Sequence, residues 1–528
     1  MGEDLYELPK GWVWVKLEDI SIKITDGAHK TPTYLPSGIP FLSVKDIYDK
    51  KIHFAKCKYI SQEEHLKLID RCNPEPFDIL ITKSGTIGRT AVVKTDKKFS
   101  LFVSVALIKP FHQYLSSDFL SFALDNYIDN IDIQKTIKAG VIKNFHIEDI
   151  KEVLVPLPPL LEQYRIVAKI EELFTELDAG VELLKKLKAK LKRYRQAVLK
   201  AAVEGNLTKE WREANQGKLE PASILCDRIL KQRREKWEAE QLAKMKAQGK
   251  TPKDDSWKLK YKEPIAPDTS DLPELPDGWC WASLDTVLFD IKAGKSFKCE
   301  NENPPSPEAV GVIKVSAVTW GEFNELESKT CTEQSRINPE LFVREGDFLF
   351  SRANTIELVG ACVIAKKVNL RVMLSDKILR FYFVELSSKW ILFTLRSRQG
   401  RNDIERLSTG NQESMRNIGQ DRIRCIRIPI APLQEMEQII NEVERHLSVI
   451  DQLEKTINSN LKRAEKLRQS ILKQAFEGKL VPQDPNDEPA EKLLERIKAE
   501  KAKQTTTKTK RKTQSKTQSS IQLELPLE

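Results

Sequence analysis

Residues 8–20 read LPKGWVWVKLEDI, and residues 275–287 read LPDGWCWASLDTV. The two stretches share a leucine, a proline, a glycine, two tryptophans and a second leucine, in the same order and at the same spacing. A pattern that recurs after more than half of the chain predicts an internal duplication, which decides how every other segment is interpreted. We expect the tryptophans to pack the first strand of each copy.

The duplication extends well beyond the tryptophan motif. The offset between the copies lies between 267 and 273 residues, so each copy is about 270 residues long and keeps its segments in one order. The matching pairs are PLPPLLEQYRIVAKIEELF from Pro156 with PIAPLQEMEQIINEVERHL from Pro429, DILITKSGTIG from Asp78 with DFLFSRANTIE from Asp347, and EPASILCDRI from Glu220 with EPAEKLLERI from Glu488.

The first part of each copy has the texture of a mixed domain. Residues 8–156 and 275–429 contain short apolar runs such as FDILIT and FVSVALI, broken by Gly, Pro, Asn and Asp. Such runs predict several short strands in a domain of ordinary size, about 150 residues.

The second part of each copy is predicted to be one long helix. Proline clusters precede Leu160 and Leu433, and Gly205 and Gly478 follow the periodic region, which fits helix starts and ends. Apolar residues at steps of seven predict a coiled-coil seam. The seam positions are Ile170, Leu177, Leu184, Leu191 and Val198 in the first copy, and Val443, Ile450, Ile457, Ala464 and Ile471 in the second.

Two residues interrupt this seam. Gly180 and Asn460 both fall at the intermediate d position of the heptad. One interpretation is a local weakening of the packing. The other is that Asn460 is buried and fixes the register of the two helices.

Size and charge leave the function open. A chain of 528 residues is too long for one hydrophobic core, so two or more globular domains are expected. The net charge is only +9, because 77 acidic residues are interleaved with 86 basic ones. Both a nucleic-acid-binding protein and an ordinary protein of the cell interior have such a balance.

Cysteine usage and the chain's start predict a cytoplasmic protein. The eight cysteines form no CxxC pair, and no histidine lies near two of them at zinc-ligand spacing, which favours reduced thiols. The acidic start MGEDLYELPK lacks the features of a signal peptide, and no apolar run approaches the roughly 20 residues of a membrane span. We expect no cofactor or metal ion in this chain.

Motifs of DNA-modifying or ATP-using enzymes are imitated but incomplete. NPEPF (73–77) has one residue too many for the Asn-Pro-Pro-aromatic motif of amino-methyltransferases, and NPPS (303–306) lacks the aromatic ring. AGKS (293–296) resembles the end of a phosphate-binding loop, but Phe289 stands where that motif requires glycine. These departures favour a binding protein over an enzyme.

Polar loops at equivalent places of the two copies are candidates for binding DNA. ITKSGTIGRT (81–90) and FSRANTIE (350–357) combine small residues with cations and an amide, which suit phosphates, guanine or adenine. AGKSFK (293–298) and the pair GVIKN (140–144) and GNQESMRN (410–417) are similar in composition. The alternative is that these are plain polar turns. The candidate residues are Lys83, Ser84, Thr86, Arg89, Lys143, Lys295, Ser296, Arg352, Asn354 and Arg416.

The duplicated order of these segments, from about residue 5 to residue 500, resembles the specificity subunit of type I restriction-modification systems. The resemblance implies an α+β fold in which two mixed α/β target recognition domains are joined by two long helices, packed as an antiparallel coiled coil with pseudo-twofold symmetry. The domains would be 1–156 and 273–429, and the conserved helical spacers 157–205 and 430–480. A charged helical segment and Pro-rich linker would fill 206–272, and a short helix with a basic, low-complexity tail 481–528.

The resemblance also implies function and partners. Each recognition domain would read one half of a bipartite, asymmetric sequence in double-stranded DNA, and the helices, roughly 65 Å long at 1.5 Å per residue, would set the spacing. Two methyltransferase subunits and restriction (translocase) subunits would supply catalysis, with S-adenosylmethionine, ATP and Mg bound there. One departure is that Gln163, usual at its position in the family, becomes Met436 in the second copy.

Two other functions stay open at the level of sequence. A coiled-coil scaffold with protein-binding domains would not bind DNA sequence-specifically. An autonomous DNA-modifying enzyme would turn over without partner subunits.

Overall fold

The computed structural model describes residues 6–130, 145–252, 254–304, 306, 308–384 and 386–503. In the first copy the strands are β1 (Val13–Lys16), β2 (Ser21–Asp26), β3 (Ile39–Leu42), β4 (Ile47–Tyr48), β5 (Lys51–Ile52), β6 (Lys58–Ile60), β7 (Ile79–Thr82), β8 (Thr90–Val92), β9 (Ser100–Leu101), β10 (Val105–Pro110) and β11 (Leu154–Leu157). The helices are α1 (Gln62–Ile69), α2 (Ser117–Asn130), α3 (Ile147–Glu152), α4 (Leu160–Val203), α5 (Lys209–Ala214) and α6 (Ala222–Ala247), with 3-10 turns at Val44–Asp46 and Asp255–Lys260.

The second copy repeats this order with additions. Its strands are β12 (Cys280–Ser283), β13 (Leu288–Ala293), β14 (Cys299–Glu300), β15 (Gly311–Ile313), β16 (Ser328–Cys331), β17 (Phe348–Ser351), β18 (Ala353–Asn354), β19 (Cys362–Ile364), β20 (Val372–Met373), β21 (Ile378–Phe383), β22 (Thr409–Gln412), β23 (Met415–Asn417) and β24 (Arg427–Ile430). Its helices are α7 (Leu284–Val287), α8 (Ser388–Arg396), α9 (Arg398–Leu407), α10 (Gln420–Arg424) and α11 (Leu433–Phe476), with 3-10 turns at Val315–Ala317, Gln334–Arg336 and Pro339–Leu341. Residues 490–503, here called the tail helix, are also helical.

The chain forms two compact units that do not follow its linear order. Unit 1 comprises Met1–Lys185 together with Asn458–Glu528, and unit 2 comprises Lys186–Ile457. Both divisions fall inside the long helices α4 and α11. Each unit therefore contains one end of α4 and one end of α11. The domain boundaries inferred from the sequence do not coincide with these divisions, and they stay predictions.

The tryptophan motif and the proline-led segment of each copy pair as antiparallel strands. In unit 1, β1 pairs with β11 and Trp14 lies opposite Pro156. In unit 2, β12 pairs with β24 and Trp281 lies opposite Pro429. In each copy, therefore, the tryptophan motif and the proline-led segment form a two-stranded sheet, and the chain continues from this sheet into the long helix.

A four-stranded antiparallel sheet forms the centre of each unit. Its order is β2-β10-β7-β8 in unit 1 and β13-β21-β17-β19 in unit 2. Both β7 and β17 are buried along their whole length. Their alternate residues face two different cores, since Ile79 and Ile81 join one cluster while Leu80 joins another. This explains why FDILIT and GDFLF are continuous apolar runs without alternation.

Smaller sheets complete the units. Unit 1 adds β6-β3-β9 and β4-β5, and unit 2 adds β14-β16-β15-β20 and β18-β23-β22. The predicted combination of short-stranded mixed domains and long helices is confirmed.

The two long helices run antiparallel within each unit. In unit 1, Ile166 and Ile170 of early α4 share a core with Leu472 and Phe476 of late α11. In unit 2, Val198 and Ala202 of late α4 share a core with Met436 and Val443, among other residues of early α11. Opposite ends of the helices meet in both units, which is the antiparallel arrangement that the resemblance implied.

Only part of the predicted seam is buried. All five seam positions of the second copy have less than 10% of their surface exposed. At the intermediate d positions, however, Leu187 is 41% and Tyr194 is 47% exposed. Asn460 is also exposed, so the hypothesis that a buried Asn460 fixes the register is wrong. A Cβ added at Gly180 would meet no atom within 4 Å, which places this glycine in open space.

Both long helices end as the sequence predicts. Gly205 (φ +69°) and Gly478 (φ +68°) adopt the left-handed conformation that favours glycine. The next residue closes each helix, since the backbone N–H groups of Asn206 and Lys479 donate to Ala201 and Gln474 at 2.8 Å. A Cβ at Gly478 would lie 2.2 Å from Pro9 Cγ, so the helix end abuts the tryptophan-motif loop of unit 1.

Candidate DNA interface

The loop between β7 and β8 is organised by one threonine. The Thr82 hydroxyl donates to the carbonyl of Thr86 (2.5 Å) and accepts from the backbone N–H of Arg89 (2.9 Å). The N–H of Gly88 donates to the Thr82 carbonyl at 2.8 Å. The candidates Lys83, Ser84, Thr86 and Arg89 therefore lie in one ordered loop, with the side chains of Thr86 and Arg89 exposed.

Lys83 is held by a buried carboxylate. Its Nζ lies 2.5 Å from Asp26 Oδ2, and its side chain is only 13% exposed. Asp26 also accepts from Arg71 (2.5 Å) and His29 (3.0 Å). Burial acts to raise the pKa of Asp26, but the hydrogen bonds from Lys83, Arg71 and His29 outweigh it and hold this pKa below its ordinary value. The charge of Lys83 is thus already paired inside unit 1.

Arg89 borders a cleft of about 300 Å³ in unit 1. At its wall, Lys50 Nζ donates to Thr90 Oγ1 and Ser121 Oγ, both at 2.8 Å, and pairs with Asp125 at 2.5 Å. Burial lowers the pKa of Lys50, against the opposing effect of Asp125. The ammonium of Lys50 is therefore committed to the fold, whereas Arg89 remains exposed.

Arg352 occupies in unit 2 the place of Lys83 in unit 1. The N–H of Lys83 donates to the carbonyl of Ser104 (2.9 Å) and its carbonyl accepts from Phe145 (2.7 Å). The N–H of Arg352 donates to Lys377 and its carbonyl accepts from Ile418, both at 2.9 Å. The main-chain bonds are the same, and the side chains and their surroundings differ.

Arg352, Asn354 and Arg416 come together in the small sheet β18-β23-β22. Asn354 lies opposite Arg416 in the ladder, and Arg352 Nε reaches Asn417 Oδ1 at 3.4 Å. The Asn354 side chain accepts from the N–H of Thr355 at 2.9 Å.

The guanidinium of Arg416 is turned inward. It donates to the carbonyls of Gly410 (2.8 Å) and Ser408 (3.1 Å) and to Ser408 Oγ (3.0 Å). These bonds tie β23 to Gly410 within β22 and to Ser408, the residue directly before β22. They leave little donor capacity for a ligand.

The last candidates lie apart or outside the described residues. Lys295 and Ser296 are exposed, and Lys295 forms an isolated bridge with Ser375. Lys143 lies outside the described residues. Sequence reasoning missed the neighbours Asn411 and Gln412, both exposed. The glycine before them in TGNQ was the available signal, because it permits a distorted strand.

The first tryptophan of each motif joins the two-stranded sheet of its unit, β1-β11 or β12-β24, to a long helix. Trp12 Nε1 donates to Glu162 at 3.0 Å, and Trp279 Nε1 donates to Glu435 at 2.9 Å. Both indoles are at least nine-tenths buried, as expected for packing residues. Burial raises the pKa of Glu162, although its hydrogen bonds with Trp12 and Gln483 act to lower it.

Metal-ligand clusters and membrane-spanning helices are both absent from the described residues. Among the described residues no group of three or more His, Cys, Asp or Glu is arranged to hold a metal ion. In the same part of the chain, no helix combines the length and apolar character that a membrane crossing requires.

Comparison with known proteins finds specificity subunits of type I restriction enzymes. Residues 9–193 match the type I restriction modification DNA specificity domain. The EcoEI specificity subunit of a type I restriction enzyme from Escherichia coli is 27% identical over 519 residues, covering 87% of this chain and 81% of that protein. Over most of its length the chain is therefore similar to a type I specificity subunit.

A second relative and a solved structure are also similar to this chain. The EcoKI specificity subunit from Escherichia coli strain K12 is 24% identical and covers 94% of this chain and 97% of its own length. A solved structure that addresses complex assembly and conformational transition of the type I restriction-modification system contains a similar chain. This solved chain aligns with a TM-score of 0.60 and 18% identity. It covers 90% of this chain and 100% of that one. This alignment supports the fold. These similarities do not favour the scaffold alternative.

Proposed function

We propose that this chain is the DNA-specificity subunit of a type I restriction-modification complex, and that each unit reads one half of a bipartite, asymmetric DNA sequence. The observation that carries the proposal is the equivalence of Lys83 and Arg352. They have the same main-chain bonds on the same sheet, but different side chains and different neighbours. Equivalent scaffolds that carry unlike polar side chains and neighbours are what two unlike half-sites require.

The proposed recognition domains are residues 1–156 and 273–429. The long helices within 157–205 and 430–480 are the proposed spacers, and they also carry the docking surface. In unit 2 one helix pair exposes Leu187 (41%), Tyr194 (47%), Leu453 (43%) and Val449 (54%). Apolar side chains in such number on a helical face favour a protein partner, for which we propose the methyltransferase subunits.

Catalysis is assigned to those partners. S-adenosylmethionine would bind to the methyltransferase subunits, and ATP and Mg to the restriction subunits, while this chain contributes binding alone. We place the complex in the cytoplasm, where its DNA substrate is accessible.

The experiment is to map modified bases across a random DNA library, using the chain, the methyltransferase subunit of its own system, and both together. We expect one bipartite motif, only when both are present. Modification by the chain alone, or modification without a motif, would contradict the proposal.

A domain exchange sharpens this experiment. Replacing residues 8–156 by the equivalent residues of another family member should change one half of the motif and leave the other half as it was. A change in both halves would refute independent reading by the two units. An exchange of 275–429 serves as the matched control, because it should alter the half that the first exchange preserves.

A further inference from the structure

Unit 2 contains an exposed, polar ribbon of two antiparallel strands at the edge of the small sheet β18-β23-β22. The ribbon consists of β22 and β23, joined by Glu413 and Ser414. Residues 409–415 are all exposed, and Met415 is 73% exposed. A ribbon of two strands fits the major groove of B-DNA, which is about 12 Å wide.

The ribbon carries amide side chains aimed away from the fold. Asn411 and Gln412 are exposed, and no hydrogen bond of their side chains to other described residues is found. Asn and Gln amides pair with adenine through N6 and N7, a contact that identifies the base. The ribbon thus offers unengaged base-reading groups, while the nearby guanidinium of Arg416 is engaged with the protein itself.

The ribbon's shape is fixed by a bulge at its outer strand. The register shifts between Thr409 and Gln412, and Gly410 has a φ of +132°. A Cβ at Gly410 would lie 2.3 Å from the carbonyl oxygen of Met415, so only glycine fits. Bulges of this kind re-aim the side chains that follow, here those of Asn411 and Gln412.

Arg416 clamps this shape from within. Its guanidinium bridges the carbonyl of Gly410 on the opposite strand and that of Ser408, the residue before that strand. The turn is tied as well, because the N–H of Ile356 donates to the Glu413 carbonyl at 2.7 Å. A backbone held in this way loses little conformational freedom on binding, which favours specific contacts.

Cations flank the ribbon at its base. The carbonyl of exposed Lys377 accepts from the N–H of Arg352, whose Nε reaches Asn417 at the ribbon's last residue. Lys295 is also exposed, and its isolated bridge with Ser375 places it near Lys377, just before β21 begins. Lysine and arginine at such positions contact phosphates and fix the register of a reading element on the duplex.

We propose that residues 409–417 are the base-reading element of unit 2, with Asn411 and Gln412 as specificity-determining residues for adenine and Arg416 as a positioning residue. This inference rests on the proposed function and deepens it. It also changes the role of Arg416, from a side chain that contacts DNA to one that holds the side chains that do.

The test maps modified bases on a random library with the full chain and its methyltransferase partner. Asn411→Ala and Gln412→Ala should each relax one adenine position in one half of the motif, by roughly five- to one-hundred-fold in discrimination, and leave the other half unchanged. Asn402→Ala removes an exposed amide from α9, outside the ribbon. This matched control should leave the motif unchanged.

Arg416 is tested by charge and by shape. Arg416→Lys keeps the charge but cannot bridge the same carbonyls, so it should broaden the same half of the motif as Asn411→Ala and leave the salt dependence of binding unaltered. If Arg416 instead contacts a phosphate, Arg416→Lys will leave the motif unchanged, and Arg416→Gln will weaken the salt dependence of binding. That result would overturn the positioning role of Arg416.

The outcomes separate this inference from the function on which it rests. If the wild-type chain gives no bipartite motif, the proposed function itself fails. If the motif is present and both Asn411→Ala and Gln412→Ala leave it intact, only the ribbon inference is overturned. Relaxation at bases other than adenine would refute the assignment of adenine.

Discussion

At the scale of residues, the two anchors between tryptophan and glutamate differ in their electrostatics. Glu435 is fully buried and accepts from Arg212 (2.6 Å), Thr208 (2.8 Å) and Trp279. Glu162 accepts from Trp12 and, at 3.3 Å, from Gln483. In unit 2 the charged guanidinium of Arg212 donates to Glu435, whereas in unit 1 the neutral amide of Gln483 donates to Glu162.

The difference predicts unequal responses to the same substitution. Glu435→Gln leaves Arg212 without its buried counter-charge and should cost unit 2 about 3–5 kcal/mol. Glu162→Gln keeps an acceptor for Trp12 and should change unit 1 by about 1 kcal/mol or less. Hydrogen exchange of β12 and β1 measures each effect locally. Equal losses in the two units would contradict the argument.

The pH dependence of Glu162→Gln gives a second measurement. Burial raises the pKa of Glu162 above its ordinary 4.5, so the charged form of this carboxyl is less favourable in the folded chain than in the unfolded chain. The carboxyl becomes neutral in both folded and unfolded states below about pH 4.5. The stability of wild-type unit 1, relative to Glu162→Gln, should therefore rise as the pH falls through the raised pKa towards 4.5. Thermal unfolding at about pH 7.5 and about pH 5 checks the sign.

Residue roles in the candidate interface were only partly predictable. The sequence places Lys83, Thr86 and Arg89 in one loop because they are adjacent. It does not reveal that Asp26, 57 residues away, neutralises Lys83. The inward turn of Arg416 likewise depends on carbonyls brought close by a bulge, which composition does not encode.

At the scale of elements, apolar periodicity identified the long helices and their bounds closely. α4 begins at Leu160 and α11 at Leu433, as the proline clusters predict. The heptad pattern overstated the depth of packing, since d positions such as Leu187 and Tyr194 are exposed. Period alone cannot distinguish a face that packs within the chain from one that awaits a partner.

A pair of thiols joins two elements of unit 2. Cys226 of α6 lies 3.6 Å from Cys280 of β12, measured between sulfurs. The repeat aligns these residues with Leu494 and Val13, which are both packed against the core of unit 1. A hydrogen bond with Cys226 lowers the pKa of Cys280, and the same bond raises that of Cys226.

The alignment predicts that the thiols are replaceable for folding. The double substitution Cys226→Leu and Cys280→Val introduces the aliphatic pair of unit 1 and should change the stability of unit 2 by about 1.5 kcal/mol or less. A diazene oxidant such as diamide, which takes up the two protons and two electrons, should link Cys226 to Cys280 in the wild-type chain. Peptide mass spectrometry without reduction detects the link. Cys425→Ser, which removes an exposed thiol, should leave the link in place, and a preferred link through Cys425 would contradict the prediction.

At the scale of the whole molecule, each unit is closed by the end of the other copy's helix. The core of unit 1 includes Phe476 of α11 together with Ala490, Leu493 and Ile497 of the tail helix. The core of unit 2 includes Leu199 of α4 with Ala222, Leu225 and Ile229 of α6. The repeat in the sequence predicts that these segments are equivalent. The repeat cannot say which of the two proposed recognition domains each segment covers, because either choice buries the same apolar residues.

This arrangement predicts that shortening the C-terminus damages the proposed N-terminal recognition domain. A chain ending at Asp487 keeps the ion pair between Asp487 and Arg165 (2.5 Å) but loses the tail helix. Leu493 and Ile497 are 3% and 0% exposed, so unit 1 should lose about 3–6 kcal/mol as an upper value. Hydrogen exchange should accelerate in β7 and β10 and stay unchanged in β17 and β21. A chain ending at Lys503 is the control and should retain wild-type protection.

Matched point substitutions separate packing from the loss of chain. Leu493→Ala should destabilise unit 1 alone, and its repeat equivalent Leu225→Ala should destabilise unit 2 alone, each by about 2–5 kcal/mol. The truncated chain should also lose discrimination only in the half of the DNA motif assigned to residues 1–156, because the scaffold beneath that domain alone is weakened. If truncation instead lowers protection in β17, or relaxes the half assigned to residues 273–429, the tail helix does not stabilise the N-terminal domain selectively.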